Sequence, residues 1–116
     1  MKRNWDTIRD ILIETEECSG LQYKEYETDS SQEKAYHAAL LLDNGYIRGN
    51  KREPIGKLIS VTAMSLTWAG HDLLDTIRSK PVWERIKNTA GEKGIELTFD
   101  AIKALAAIAL QAVIGK

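Results

Sequence analysis

The sequence predicts an α+β fold, and three observations lead there. Stretches with helical apolar spacing alternate with short β-branched runs. Glycines and capping residues mark the changes between them. The 116 residues, 43% hydrophobic and 28% charged, suit one soluble domain spanning 1–116.

Residues 4–18, "NWDTIRDILIETEEC", read as an amphipathic helix capped by Asn4 and stopped at Ser19-Gly20. Trp5, Ile8, Ile11, Leu12 and Thr15 form its apolar stripe, with Asp6, Arg9, Asp10, Glu14 and Glu17 opposite. Leu21 and Tyr23 suggest a short strand over 21–27. A helix over 31–44 should follow, because Ser30 and Glu33 have the capping-box spacing and Gly45 suits a left-handed stop. Lys34, Ala35, Ala38, Leu41 and Leu42 share one side of it, and the run Leu40-Leu41-Leu42 implies that more than one side is covered.

"YIRGNKREPIGKLISVTAMSLT" reads as a hairpin. Tyr46-Ile47 starts one strand, "LISVTAMSL" supplies the other, and Gly49, Asn50, Pro54 and Gly56 punctuate a long turn. Residues 58–65 also admit a helix. In "LTWAGHDLLDTIR", Thr67 is a good N-cap, and Gly70, Leu73, Leu74 and Ile77 fall at i, i+3, i+4 and i+7. A glycine on that buried stripe lets the helix backbone approach its neighbour closely. His71 stands four residues before Asp75, a spacing at which the two can pair. Pro81 starts a further helix. Thr98 caps the last one, Asp100 complements its dipole, and Leu97 with Ile102 fits a hydrophobic staple.

Helix, short strand, helix ending in Gly-Tyr-Ile, hairpin, then a helix led by Leu-Thr-x-x-Gly is the rhythm of a winged helix. The expected architecture is therefore a winged-helix-like core over 1–79, with a reduced helix-turn-helix and a β-hairpin wing, plus two additional C-terminal helices over 80–116. The helix-turn-helix is reduced because residues 21–30 leave no room for a full extra helix. The stretches "MKRNWDTIRDIL", "YHAALLLDNGYI" and "LTWAGHDLLDTIR…VWERIK" resemble a domain-of-unknown-function family of small phage and prophage proteins with a winged-helix-like core. Its paired motifs here are Tyr-His…Leu-Leu…Gly and Leu-Thr-Trp-x-Gly-His-x-x-Leu-Asp, and the likeness runs nearly the whole chain. The resemblance implies a fold and a phage-linked context, and carries no mechanism.

Charge carries most of the functional signal. Net charge is −1, so nucleic-acid binding requires segregated charge. Residues 48–57 hold Arg48, Lys51, Arg52 and Lys57 against Glu53, whereas nine acids and two bases occupy 4–33. The leading expectation is a nucleic-acid-binding or transcription-regulatory module. Arg48, Lys51, Arg52 and Lys57 would neutralise phosphates of double-stranded DNA, and Gln32, Lys34 and His37 would face the groove. The bland counterpart is a solvated loop whose charges keep a sheet edge from pairing. The alternative is a protein-interaction adaptor using the 31–44 helix surface or the apolar 99–114 helix. Ile102, Leu105, Ile108, Leu110 and Val113 would join two copies of the chain on the leading reading and meet a host or phage protein on the alternative; their bland reading is simple docking within the domain.

No catalytic motif is present, so no enzyme, cofactor or metal is expected. An enzyme would need His37 and His71 in one pocket. Trp5, Trp68 and Trp83 are expected to fill the core at helix junctions. One cysteine, Cys18, allows no intrachain disulfide and suits a reducing cytoplasm. The charged start "MKRNWDTIRD" is unlike a secretory signal. No apolar run reaches the ~20 residues of a membrane span.

Overall fold

A computed structural model describes residues 2–18 and 22–114, with side chains at 110 and 112–114 outside the description. The chain is α+β, ordered α1 (Trp5–Glu16), β1 (Lys24–Glu27), α2 (Gln32–Asp43), β2 (Ile47–Arg52), β3 (Ser60–Leu66), α3 (Trp68–Ile77), α4 (Lys80–Lys93) and α5 (Phe99–Ile114). Its contacts form two compact units, 1–72 and 73–116, dividing within α3.

In the first unit, an antiparallel sheet of order β1-β3-β2 packs against α1 and α2. α1 begins where expected: the Asn4 side-chain oxygen accepts from the N–H groups of Asp6 and Thr7 at 3.0 and 3.3 Å. It buries Ile8, Ile11, Leu12 and Thr15, while Trp5 is only half-buried, with Arg3 5.7 Å above its ring. β1 is shorter than expected and buries only Tyr26; Leu21 lies outside the described residues.

α2 corrects the capping assignment. Ser31, not Ser30, is the N-cap, and its hydroxyl accepts from Lys34 N–H at 3.2 Å. One residue's displacement frees Glu33 from the box. Ala35, His37, Ala38, Ala39 and Leu41 turn inward, while Leu40 stays 39% exposed. Gly45 adopts the left-handed backbone that ends the helix (φ 77°).

The hairpin forms, and residues 58–65 are strand rather than helix over most of their length. Its turn is shorter than the sequence suggested, because Gly49 and Asn50 sit inside β2, paired with Ala63 and Thr62. A Cβ on Gly49 would collide with the Thr62 carbonyl, so glycine is what lets the strands close at the bulge beside Arg48. At the hairpin's base Thr67 donates its N–H to Tyr46 O at 3.1 Å and its hydroxyl to Gly45 O, and caps α3 by accepting from Gly70 N–H at 3.1 Å. A Cβ on Gly70 would meet the Tyr46 carbonyl oxygen, which is the close approach the motif implied. Trp68 is 83% exposed, against expectation. It stands two positions, about 200° of helix, before Gly70 and so faces away from the buried stripe.

The second unit holds the rest of α3 with α4 and α5. Ser79 caps α4, Pro81 occupies its first turn, and Gly94 ends it at φ 64°. Trp83 is in the core, as expected. Thr98 caps α5 by accepting from Ala101 N–H at 3.1 Å. α5 packs against α4. No helix among the described residues is long and apolar enough to cross a membrane.

Candidate nucleic-acid interface

The seven residues expected at a nucleic-acid surface fall into three groups. His37 is interior, 1% exposed, and does not face a groove. Its Nε2 accepts from Asn4 N–H at 2.8 Å, so the ring proton belongs on Nδ1, which donates to Glu33 O at 2.7 Å. Glu33 extends the same junction. One carboxylate oxygen accepts from Asn4 Nδ2 at 2.8 Å and from the Thr7 hydroxyl at 2.6 Å. Asn4, Thr7, Glu33 and His37 thus tie the start of α1 to the first turns of α2. His71, the other histidine, is exposed.

Two lysines are engaged within the chain. Lys34 donates to Glu14 at 2.8 Å, and the Tyr26 hydroxyl donates to the other oxygen of that carboxylate at 2.8 Å. Burial works against the Glu14 charge, but the bonds from Lys34 and Tyr26 prevail and hold it below the ordinary carboxylate value. Burial, and then the bond to Glu14, push the Tyr26 hydroxyl above its ordinary range. Lys51 points to the helix-covered side of β2, where Asp43 receives it at 2.9 Å and Glu53 lies 3.4 Å away. The Asp43 bond is the main reason its ammonium sits above the usual lysine value.

The remaining residues are outward. Strand alternation puts Arg48, Asn50 and Arg52 on the exposed side of β2, with Ile47, Gly49 and Lys51 turned the other way. Arg48 spends one N–H on Leu66 O at 3.1 Å. Arg52 and Lys57 are exposed and have no ion-pair partner among the described residues. Gln32 is exposed at the start of α2. Across the same side of the sheet, rows run Glu25–Thr62–Asn50 and Glu27–Ser60–Arg52, so the β1 edge is acidic and the β2 edge basic.

The tip between Arg52 and Lys57 adds a residue that the sequence reading passed over. Pro54–Gly56 forms a single turn, closed by Lys57 N–H on Pro54 O at 3.1 Å. Ile55 (φ 54°, ψ 34°) and Gly56 (φ 75°) are both left-handed, the hand of a type I′ turn. For a β-branched residue that backbone costs about 1–2 kcal/mol. Ile55 is also fully exposed, at 104%. The signal was available as the dipeptide Ile-Gly where Asn-Gly is usual.

Of the expected interface on α5, Ile102 and Leu105 are buried, so they serve the chain's own packing. Ile108 is 58% exposed. The side chains of Leu110 and Val113 lie outside the described residues. No group of three or more His, Cys, Asp or Glu suited to a metal ion occurs among the described residues. Asp75 pairs with Arg78 at 3.1 Å.

Residues 2–96 match the family described as "Hypothetical protein (DUF2513)". An uncharacterized protein of Haemophilus influenzae (strain ATCC 51907 / DSM 11121 / KW20 / Rd) is 39% identical over 110 residues, covering 91% of this chain and 92% of that protein. No solved structure matches the chain.

Proposed function

We propose that the chain, which belongs to the DUF2513 family, is a non-enzymatic module of winged-helix type that binds duplex DNA through the basic edge of its sheet. One observation carries this reading: Arg48 and Arg52 stand in an outward row on β2, with Lys57 beyond the turn, on the edge farthest from acidic β1. The sheet order β1-β3-β2 and the α-β-α-β-β succession support the winged-helix assignment. Gln32, at the exposed start of α2, is the remaining base-reading candidate. On this reading Lys34, Lys51 and His37 are structural. A transcription-regulatory role belongs to the same proposal and rests on the same basic edge, while a phage- or prophage-linked setting rests on the sequence resemblance and a cytoplasmic one on the single cysteine.

Fluorescence anisotropy of a labelled random-sequence duplex tests it at low and then physiological salt. The wild type should bind and weaken steeply as salt rises, and Arg48→Ala/Arg52→Ala/Lys57→Ala should lose binding. Absence of wild-type binding at low salt sinks the reading.

The adaptor reading has its own observation. Tyr36 and Leu40, one turn apart on α2, are 38% and 39% exposed, beside exposed Gln32 on the same stripe. Ile108 offers a second contact, toward another copy of the chain or a host or phage protein. Binding that survives high salt and is lost in Tyr36→Glu/Leu40→Glu would favour it.

A further inference from the structure

We propose that Ile55 is an apolar wedge for the minor groove of duplex DNA, with Arg52 and Lys57 taking the phosphates on either side. The proposal rests on the duplex-binding reading above. Its starting point is a residue that does its own fold no good. The turn needs two successive left-handed residues, a place where asparagine or glycine sits without steric conflict. Isoleucine sits there against its backbone preference and recovers nothing by burial, since its side chain is fully exposed. The turn is nevertheless well held. Lys57 N–H closes it on Pro54 O, and Ile59 N–H bonds Arg52 O at 2.8 Å just behind it.

A rigid tip carrying one large apolar side chain between two open cations is matched to a polyanion with an apolar slot. The minor groove is such a target, because side chains such as Ile or Leu enter between base steps while cations hold the flanking phosphates. A lipid surface fits less well. Firm interfacial binding needs an extended apolar face, whereas this tip offers Ile55 with exposed Pro54 beside it. A neutral protein pocket would leave both cations without a counterpart.

Two labelled alternating duplexes, guanine–cytosine and inosine–cytosine, test the wedge by anisotropy at low salt. They differ only by the guanine 2-amino group, which projects into the minor groove and leaves the major groove unchanged. The wild type should prefer the inosine duplex by about tenfold, the size of one lost base contact. Ile55→Asn should bind both duplexes equally, at the weaker affinity, while melting at a higher temperature than the wild type. Ile55→Val, with the same backbone conflict and a similar apolar surface, should keep the preference.

If Ile55→Asn retains wild-type affinity and preference while Arg52→Ala/Lys57→Ala binds more weakly, the wedge is wrong and the phosphate-contacting wing stands. If Ile55→Asn melts lower, asparagine does not relieve the turn and the argument from strain fails. If the wild type binds neither duplex, the duplex reading falls and takes the wedge with it. Ile55-dependent sedimentation with phosphatidylserine vesicles in that case would assign the tip to a lipid surface.

Discussion

The junction of α1 with α2 and the tip of the hairpin make a useful pair. Both carry residues that sequence pattern marks as chemically able: Glu33, Lys34 and His37 at one, Arg52 and Lys57 at the other. At the junction, Asn4, Thr7, Glu33 and His37 bond to one another within the chain. At the tip, two cations and an isoleucine face solvent on a backbone that dislikes the isoleucine. Residue type tells what a side chain could do, and internal bonding tells whether it is still available to do it.

That contrast breaks first if the junction is not structural. His37→Ala should lose about 3 kcal/mol of stability in denaturant unfolding, combining a cavity with an unpaired Asn4 N–H. Its folded form should bind duplex as the wild type does. A smaller loss, about 1 kcal/mol, is expected for Thr7→Val, which keeps the shape and deletes one donor to Glu33. A full loss of folding in Thr7→Val would mean that the junction is more cooperative than its separate bonds imply.

Acid unfolding gives a third measure. The Glu14 carboxyl sits lower in the folded chain than its ordinary 4.5, so its contribution is complete above that value and disappears as pH falls through the lowered one. Melting temperatures followed from pH 6 to about pH 2 should therefore fall less steeply for Glu14→Gln than for the wild type. Equal slopes would show that Lys34 and Tyr26 do not favour the charged form. The smallest stability effect belongs to the tip. Arg52→Ala/Lys57→Ala should change unfolding free energy by less than about 0.5 kcal/mol, as surface substitutions without partners do. The same variant should flatten the salt dependence of duplex binding by about two units of log–log slope.

Elements with a local cause were readable from sequence. Asn4 caps α1, Gly45 ends α2, Thr67 and Gly70 start α3 against Tyr46, and Thr98 starts α5. Ser30 and Ser31 are adjacent, and only the backbone path after β1 decides which hydroxyl reaches an amide. The hairpin turn was overestimated because Gly49 and Asn50 look like turn residues until the Thr62 carbonyl is seen beside them. The burial of His37 and the ion pair of Lys34 escape the sequence for a different reason. Their partners Asn4 and Glu14 are 33 and 20 residues away, and no spacing rule reaches that far. The exposure of Trp68 follows from its angle to Gly70, whereas residue type alone points tryptophan inward.

The stitched base of the hairpin sets how far its tip can reach. Thr67 holds Gly45 and Tyr46, and Gly70 lies against Tyr46, so both strands leave from one fixed point. Adding two residues to each strand would extend the tip by about 7 Å at the usual rise per residue, leaving that anchor untouched. Because the side-chain period is two, such an extension also keeps Arg48 and Arg52 on their present side. Related hairpins that differ in length by even numbers per strand would then behave as one arm cut to several lengths, each able to span a target of different depth.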